Sequence, residues 1–315
     1  MPALRRLYPG QNVDVIAPCS RYDHVHLTAW RTVLQPGTVA DLAHTVATTF
    51  GALPEGCPAL SVSTSKGDPL AIDAALDGDH RRWPGSWPGD LNPVIARHLN
   101  LRQFIPCPVA AACSTGLYGL LDAADQIEAK RAAWGLVLAA EGTLPDWLAA
   151  GFARLGVLAL GKPDTAVAGP GHGSCGFIPV AGAGGVLLST AAASTPGWQL
   201  VAGVRLGDAG HETHFAHPGT LQAALEALWE VTGAPDLIVP HATGTKAGDG
   251  YELSVLESGP WKTLPRWCLK PDIGHCLGAS GLVELALALD RPEPLIWKIS
   301  LGFGGHLAAV AIRRS

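Results

Sequence analysis

The feature that most constrains this chain is a strand–helix–strand unit between residues 104 and 140. Residues 104–112 are an apolar run that predicts a strand. Residues 114–128 then place leucines and alanines at the i, i+3, i+4 spacing of one buried helix face. Residues 134–140 are again continuously apolar, which predicts a buried strand. Two strands joined by a helix lie parallel, and a parallel sheet needs helices on its faces. The chain is therefore predicted to be an α/β protein.

Similar patterns return in the second half of the chain. Residues 221–231 predict an amphipathic helix closed by Gly233, and residues 279–289 predict an apolar helix. We predict two α/β halves that divide near residues 185–195, and an exposed or partner-facing loop at 77–90. A further helix is predicted at 40–50. Short apolar runs predict further strands at 13–16, 59–62, 185–188, 198–204, 237–239, 296–301 and 307–312.

Composition excludes several classes of protein. Of the 315 residues, 48% are hydrophobic and 16% are charged, which suits a chain with a sizeable core. The formal net charge of −5 offers no basic surface for nucleic acid. Glycine and proline interrupt the longest uncharged stretch, and the N-terminus has no apolar signal segment, so we expect no membrane insertion. Seven cysteines without a CxxC pair indicate free thiols in a reducing cytoplasm.

Candidate chemistry centres on one cysteine and two histidines. Cys113 stands where the predicted strand meets the predicted helix, and the field of a helix N-terminus favours a thiolate. His241 and His275 lie in glycine-rich loops at the ends of elements, where functional groups concentrate. Taken singly, each histidine is more often structural. Lys270 and Glu284 could equally be an ordinary surface charge and one helix carboxylate.

Four sequence blocks occur along the chain in the order ACSTG, HATGTKAGD, KPDIGHCLGASGLVE and LGFGG. Together they resemble the β-ketoacyl-acyl carrier protein synthases of the KAS I/II type, whose corresponding elements are a nucleophilic cysteine, HGTxTxxGD, KxxxGHxxGAAG and GFGG. The resemblance covers roughly residues 58–315. It implies a thiolase-like α/β fold with two pseudo-duplicated halves in five α-β-α-β-α layers. Residues 1–189 would carry the nucleophile and residues 190–315 the histidines.

The resemblance also implies roles for the matched residues. Cys113 corresponds to the acylated nucleophile, and His241 and His275 correspond to the two active-site histidines. Lys270 corresponds to a structural lysine, and Glu284 to its carboxylate partner. We therefore expect Lys270 and Glu284 to form a buried ion pair that organises the His275 loop.

The last block and the HATGTKAGD block supply the remaining implied contacts. Phe303 corresponds to the gate residue, whose backbone N–H joins that of Cys113 in an oxyanion hole. Thr243, Thr245 and Gly304 correspond to substrate-binding positions.

The implied function is decarboxylative Claisen condensation of an acyl-cysteine with a malonyl carrier-protein thioester, in fatty-acid or polyketide-type biosynthesis. This chemistry needs no cofactor and no metal. The implied partners are acyl carrier protein thioesters, together with either a second copy of the chain or a ketosynthase-like subunit. In the resembling family the strand before the nucleophile, here residues 104–112, packs across the dimer axis.

Departures from the family pattern keep two alternatives open. The chain is short before Cys113 and between His275 and Phe303, where the family builds its acyl pocket. Ala181 replaces an acidic residue, and His306 stands where the family has threonine. One alternative is a chain-length-factor-like partner of another ketosynthase, although such subunits typically lack the cysteine. The other is an acyltransferase or thioesterase that uses the same Cys-His-His site.

A histidine-rich segment, HETHFAH at 211–217, also invites a metal hypothesis. His211, His214 and His217 lack the HExxH spacing of zinc proteases. The resemblance places the segment in a mobile loop on the substrate side. We therefore expect no metal there.

Overall fold

The computed structural model describes residues 17–33, 35–83, 85–159, 176–190 and 197–315. The strands in these ranges are β1 (Cys19–Val33), β2 (Pro58–Ser63), β3 (Ile105–Pro106), β4 (Trp134–Glu141), β5 (Gly182–Ser189), β6 (Trp198–Gly207), β7 (Leu237–Val239), β8 (Leu295–Gly302) and β9 (His306–Arg314). The α-helices there are α1 (Val39–Thr48), α2 (Pro69–Leu76), α3 (Leu91–His98), α4 (Thr115–Glu128), α5 (Asp146–Arg154), α6 (Pro218–Thr232), α7 (Lys246–Leu256), α8 (Lys270–Ile273) and α9 (Ser280–Ala288).

The strands form one mixed sheet in which a single strand order occurs twice. The full order is β3-β2-β4-β5-β1-β6-β9-β8-β7. In the first half β2 is parallel to β3 and β4, whereas β5 is antiparallel to β4 and β1. In the second half β7 is parallel to β8, and β9 is antiparallel to β8 and β6. The halves meet where β1 pairs antiparallel with β6. The predicted boundary at 189/190 falls between β5 and β6 and stays a prediction.

Helices cover both faces of each half-sheet. α4 and α9 pack against each other and lie between the two halves, where they share one apolar core with both. A Cβ on Gly116 of α4 would lie 2.9 Å from the Leu282 side chain of α9, so glycine permits this close packing. Helices α1 and α3 cover the outer face of the first half, and α6 and α7 cover that of the second. The five-layer α-β-α-β-α prediction is confirmed.

Most elements predicted from periodicity are present, with one clear error and one omission among the strands, whereas the sequence patterns do not predict the helices α2, α3, α5, α7 and α8. The predicted strand at 104–112 is wrong, since only Ile105–Pro106 pairs with β2. Pro106 and Pro108 lack the N–H that a ladder requires, so the chain continues as a loop. The omission is β1, a strand of fifteen residues whose alternation is broken by a bulge between Arg21 and Val25. The strand predicted at 13–16 lies outside the described residues.

No helix in the described ranges is both long and apolar enough to cross a membrane.

Candidate functional site

Cys113 lies in a tight turn immediately before α4. The turn, Ala112–Ser114, is a single 3-10 turn, and Ala112 has a φ of +46°, a region that L side chains rarely adopt. The Thr115 hydroxyl accepts the N–H of Ala111 at 2.9 Å and donates to the carbonyl of Ala112 at 2.7 Å. These bonds hold the strained backbone that presents the Cys113 thiol.

The end of β8 approaches this turn closely. A Cβ on Gly302 would lie 2.6 Å from the Ala111 carbonyl oxygen and 3.1 Å from the Cys113 backbone nitrogen, so the strand needs glycine here. Phe303, the next residue, lines the same cavity as Cys113. The structure therefore brings Phe303 beside the Cys113 turn. Its part in an oxyanion hole stays a prediction.

His275 is the group in hydrogen-bond contact with the thiol. Its Nε2 lies 3.3 Å from Cys113 Sγ, and its Nδ1 lies 2.8 Å from the Ser280 hydroxyl at the start of α9. Phe177 packs edge-on against the imidazole, with 4.9 Å between ring centroids. Glu141 secures the following loop by accepting the N–H of Gly278 at 3.2 Å. The imidazole is thus buried and held from both sides.

His241 follows β7 and completes a cluster of three. Its ring centroid lies 5.6 Å from that of His275. One side-chain atom each of Cys113, His241 and His275 lies within 4.8 Å of the other two. Among the described residues His241 Nδ1 has no hydrogen-bond partner. The structure therefore brings together the three residues that the resemblance singled out.

A buried charge network supports the backbone of His241. Lys270 Nζ lies 2.6 Å from Glu284 Oε1 and also donates to the carbonyl of His241. Lys298 Nζ lies 2.6 Å from the other oxygen, Glu284 Oε2. Glu252 accepts the backbone N–H of His241 at 2.6 Å. The predicted Lys270–Glu284 contact is thus one half of a three-residue bridge.

Sequence reasoning missed four residues of this site: Ser280, Glu252, Glu141 and Lys298. A signal existed for Lys298, because a single charge in the apolar run LIWKISLG implies a buried partner. For Glu252 the signal is weak, since one carboxylate on a helix is ordinary.

Burial sets the protonation of the cluster. It raises the pKa of the Cys113 thiol to about 12. Burial is the larger cause, and the positive charge of Lys270 the second, that holds the pKa of His275 and of His241 well below the usual range. The resting site therefore pairs a neutral thiol with a neutral imidazole. Burial of the thiol thus opposes the thiolate that the helix N-terminus was expected to favour.

The thiol opens onto a cavity of about 40 Å³, which has room for a few water molecules. Its walls include Thr243 and Thr245, whose hydroxyl oxygens are 3.0 Å apart. Thr213, His214 and Phe215 close the opposite side. Gly304 lies outside the wall, and its N–H donates to the Glu212 carbonyl at 2.7 Å.

The histidine-rich loop does not converge on a metal site. His211 and His214 stack with 3.8 Å between ring centroids, while the His217 backbone binds Asp208. In the described part of the chain, the one cluster of three metal-ligating side chains is the Cys-His-His group itself. One thiol and two imidazoles suit Zn²⁺, but the buried ammonium groups nearby disfavour a divalent cation.

Comparisons with known proteins agree with this architecture. Residues 200–290 match the family model described as the C-terminal domain of beta-ketoacyl synthase. Polyketide synthase ThaG of Burkholderia thailandensis is 28% identical over 243 residues, which is 69% of this chain and 4% of that protein. The chain thus corresponds to a small part of that relative's length.

Three solved structures are similar in fold. The ishigamide ketosynthase/chain length factor superposes with a TM-score of 0.75 and 20% identity over 88% of this chain and 81% of that chain. A beta-ketoacyl synthase from Burkholderia phymatum STM815 gives 0.76 and 18% over the same shares. A chain of the complex of ketosynthase ApeO with its chain length factor ApeC, from Xenorhabdus doucetiae, gives 0.71 and 17% over 95% of this chain and 98% of that one.

Proposed function

We propose that this chain, whose residues 200–290 match the C-terminal domain of beta-ketoacyl synthase, is a condensing enzyme of the β-ketoacyl synthase family with Cys113 as its acyl carrier. The observation that carries the proposal is the 3.3 Å contact between Cys113 Sγ and His275 Nε2 inside a buried cluster. A thiol facing a neutral imidazole is poised to lose its proton when a substrate arrives. The proposed setting is a cytoplasmic polyketide or fatty-acid pathway.

The first step would be transfer of an acyl group from a carrier-protein thioester. His275 Nε2 takes the thiol proton, and Cys113 Sγ attacks the carbonyl carbon. The oxyanion accepts the backbone N–H groups of Cys113 and Phe303. The carbon–sulfur bond to the carrier then breaks, and the proton on His275 passes to the departing thiolate. The products are acyl-Cys113 and the free carrier thiol.

The second step would be condensation with a malonyl thioester. The bond to the carboxylate breaks, carbon dioxide leaves, and the electron pair forms an enolate on the thioester. Neutral His241 and His275 are suited to donate hydrogen bonds to the enolate oxygen. The enolate carbon attacks acyl-Cys113, and the bond to sulfur breaks. The β-ketoacyl carrier thioester leaves, and the Cys113 thiolate takes a proton from water to restore the neutral thiol. Thiol, imidazole and amide groups suffice, so the proposal includes no cofactor and no metal.

The second candidate is a chain-length-factor-like subunit, and two observations favour it. One chain of a ketosynthase–chain length factor complex aligns over 98% of its own length, so a chain of similar size occurs in such an assembly. The cavity that the described residues form beside Cys113 has a volume of about 40 Å³, too small for a long acyl chain. A partner could supply that space. Acyl transfer or thioester hydrolysis without condensation is the third outcome to be tested.

Partners are part of the proposal. A solved type II polyketide synthase assembly contains an acyl-carrier protein bound to its ketosynthase, which supports a carrier protein as substrate here. A second copy or a ketosynthase-like subunit is the expected protein partner. The loop at 77–90 supports this, because Trp83 and Trp87 are about half exposed and pack edge to face. The packing of residues 104–112 across a dimer axis stays a prediction.

Intact-mass analysis with acyl and malonyl carrier proteins tests the proposal. Acylation should appear on the parent and on Cys268→Ala, and be absent from Cys113→Ala. A condensed product supports the enzyme. Acylation without condensation supports acyl transfer, and free acid supports hydrolysis. If no acyl adduct forms while a co-expressed ketosynthase gains activity, the chain-length-factor hypothesis replaces that of a condensing enzyme.

A further inference from the structure

The turn that carries His241 is held by three buried charged side chains. Glu252 accepts the N–H of His241 at 2.6 Å and that of Ala242 at 2.7 Å. Lys270 donates to the carbonyl of His241, and Lys298 donates to that of Pro240 at 3.2 Å. Consecutive peptide groups are therefore fixed from three elements, α7, α8 and β8.

This turn needs such support because Ala242 has a φ of +46°. Glycine adopts this region freely, whereas a Cβ makes it costly. The resembling HGTxTxxGD element has glycine at this point, and the present chain has HATGTKAGD. A strained non-glycine residue persists only where its surroundings dictate the conformation.

Lys298 is a costly residue to keep where it lies. It is 0% exposed, in a strand that is buried along its whole length. Its ammonium group meets Glu284 Oε2 at 2.6 Å, the carbonyl of Ile299 at 2.6 Å and that of Pro240. Glu284 already pairs with Lys270, so the bridge contains two ammonium groups and one carboxylate. Lys270 and Glu284 match the family pattern, whereas Lys298 lies outside the four matched sequence blocks.

We propose that Lys298 is a positioning residue that holds the strained turn at Ala242 and thereby fixes His241 beside Cys113. Without the bond to Pro240, the turn relaxes toward an ordinary φ and carries the imidazole away. The inference rests on the proposed function only in taking His241 as an active-site group. Its geometric content, the link between Lys298 and the Ala242 turn, stands independently.

A double-mutant experiment tests this link. Lys298→Met should lower malonyl-thioester decarboxylation at least tenfold, while acylation of Cys113 changes less than threefold, because His275 alone serves that step. Adding Ala242→Gly should recover at least tenfold, since glycine adopts the turn without strain. In the parent background the same glycine should change the rate less than threefold. The double variant still lacks the Lys298 charge. A recovered decarboxylation rate therefore shows that the geometry of the turn, and not the charge of Lys298, was limiting.

An imidazole NMR spectrum gives the second readout and does not depend on turnover. The His241 signals should shift in Lys298→Met and return toward the parent position in the double variant. Should the Met variant fail to fold, Lys298→Gln replaces it, with a smaller loss and the same recovery. A double variant that behaves like its Lys298 single variant overturns the inference. A parent that neither decarboxylates nor condenses overturns the proposed function, and the NMR comparison then decides this inference alone.

Discussion

Removing Glu284 should destabilise the protein more than removing Lys270. In Lys270→Met, Glu284 keeps Lys298 at 2.6 Å, so no carboxylate is left alone. The loss is then that of hydrogen bonds to Glu284 and the His241 carbonyl, about 1–3 kcal/mol of unfolding free energy. In Glu284→Ala, Lys270 and Lys298 lose their shared counter-charge, and both are at most 1% exposed. One broken buried pair costs about 3–5 kcal/mol, so the expected loss is at least that.

Urea unfolding followed by circular dichroism measures this order. The total stability of a domain is about 5–15 kcal/mol. Lys270→Met should therefore still show a folded baseline before the urea transition, whereas Glu284→Ala should lose much of that baseline. Arg291→Ala is the matched control, because its pair with Glu293 lies at the surface, where water screens the charges. Equal losses in the two buried variants would refute a carboxylate shared by two lysines. The ion pair would then belong to Lys270 alone.

Three further results are expected from the same site. Burial holds the pKa of His241 and of His275 below the usual value of about 6.5, so just below that pH only the unfolded chain binds protons at these histidines. The free energy of unfolding should therefore decrease as the pH falls below about 6.5, by up to about 1.4 kcal/mol per pH unit for each histidine. Denaturant titrations at several pH values should show a smaller slope in His275→Phe. Limiting cerulenin should label Cys113 before Cys276. Burial raises the pKa of both thiols to about 12, but among the described residues only Cys113 has an imidazole in hydrogen-bond contact, so equal labelling rates on peptide mapping would contradict proton removal by His275. Ser280→Ala should slow Cys113 acylation roughly tenfold without a comparable loss of stability, since it frees His275 Nδ1.

Local patterns in the sequence were sufficient for the elements whose burial is complete or strictly periodic. Continuous apolar runs gave β4 and β8, and one apolar face gave α4, because both faces of a central strand and one face of a covering helix exclude water. The order of the four motif blocks was enough to predict the layered fold and to single out Cys113, His241 and His275.

Only the tertiary structure decided which distant charges meet and which protonation they hold. Lys298 and Glu252 are 46 residues apart and belong to no common motif, yet the tertiary structure brings β8 and α7 to the same His241 turn. The sequence also overstated the strand at 104–112, because prolines forbid pairing that apolarity alone suggests. It favoured a thiolate at Cys113, since a helix terminus is visible in a sequence. The depth of burial that opposes the charge emerges only when all five layers are packed around the thiol.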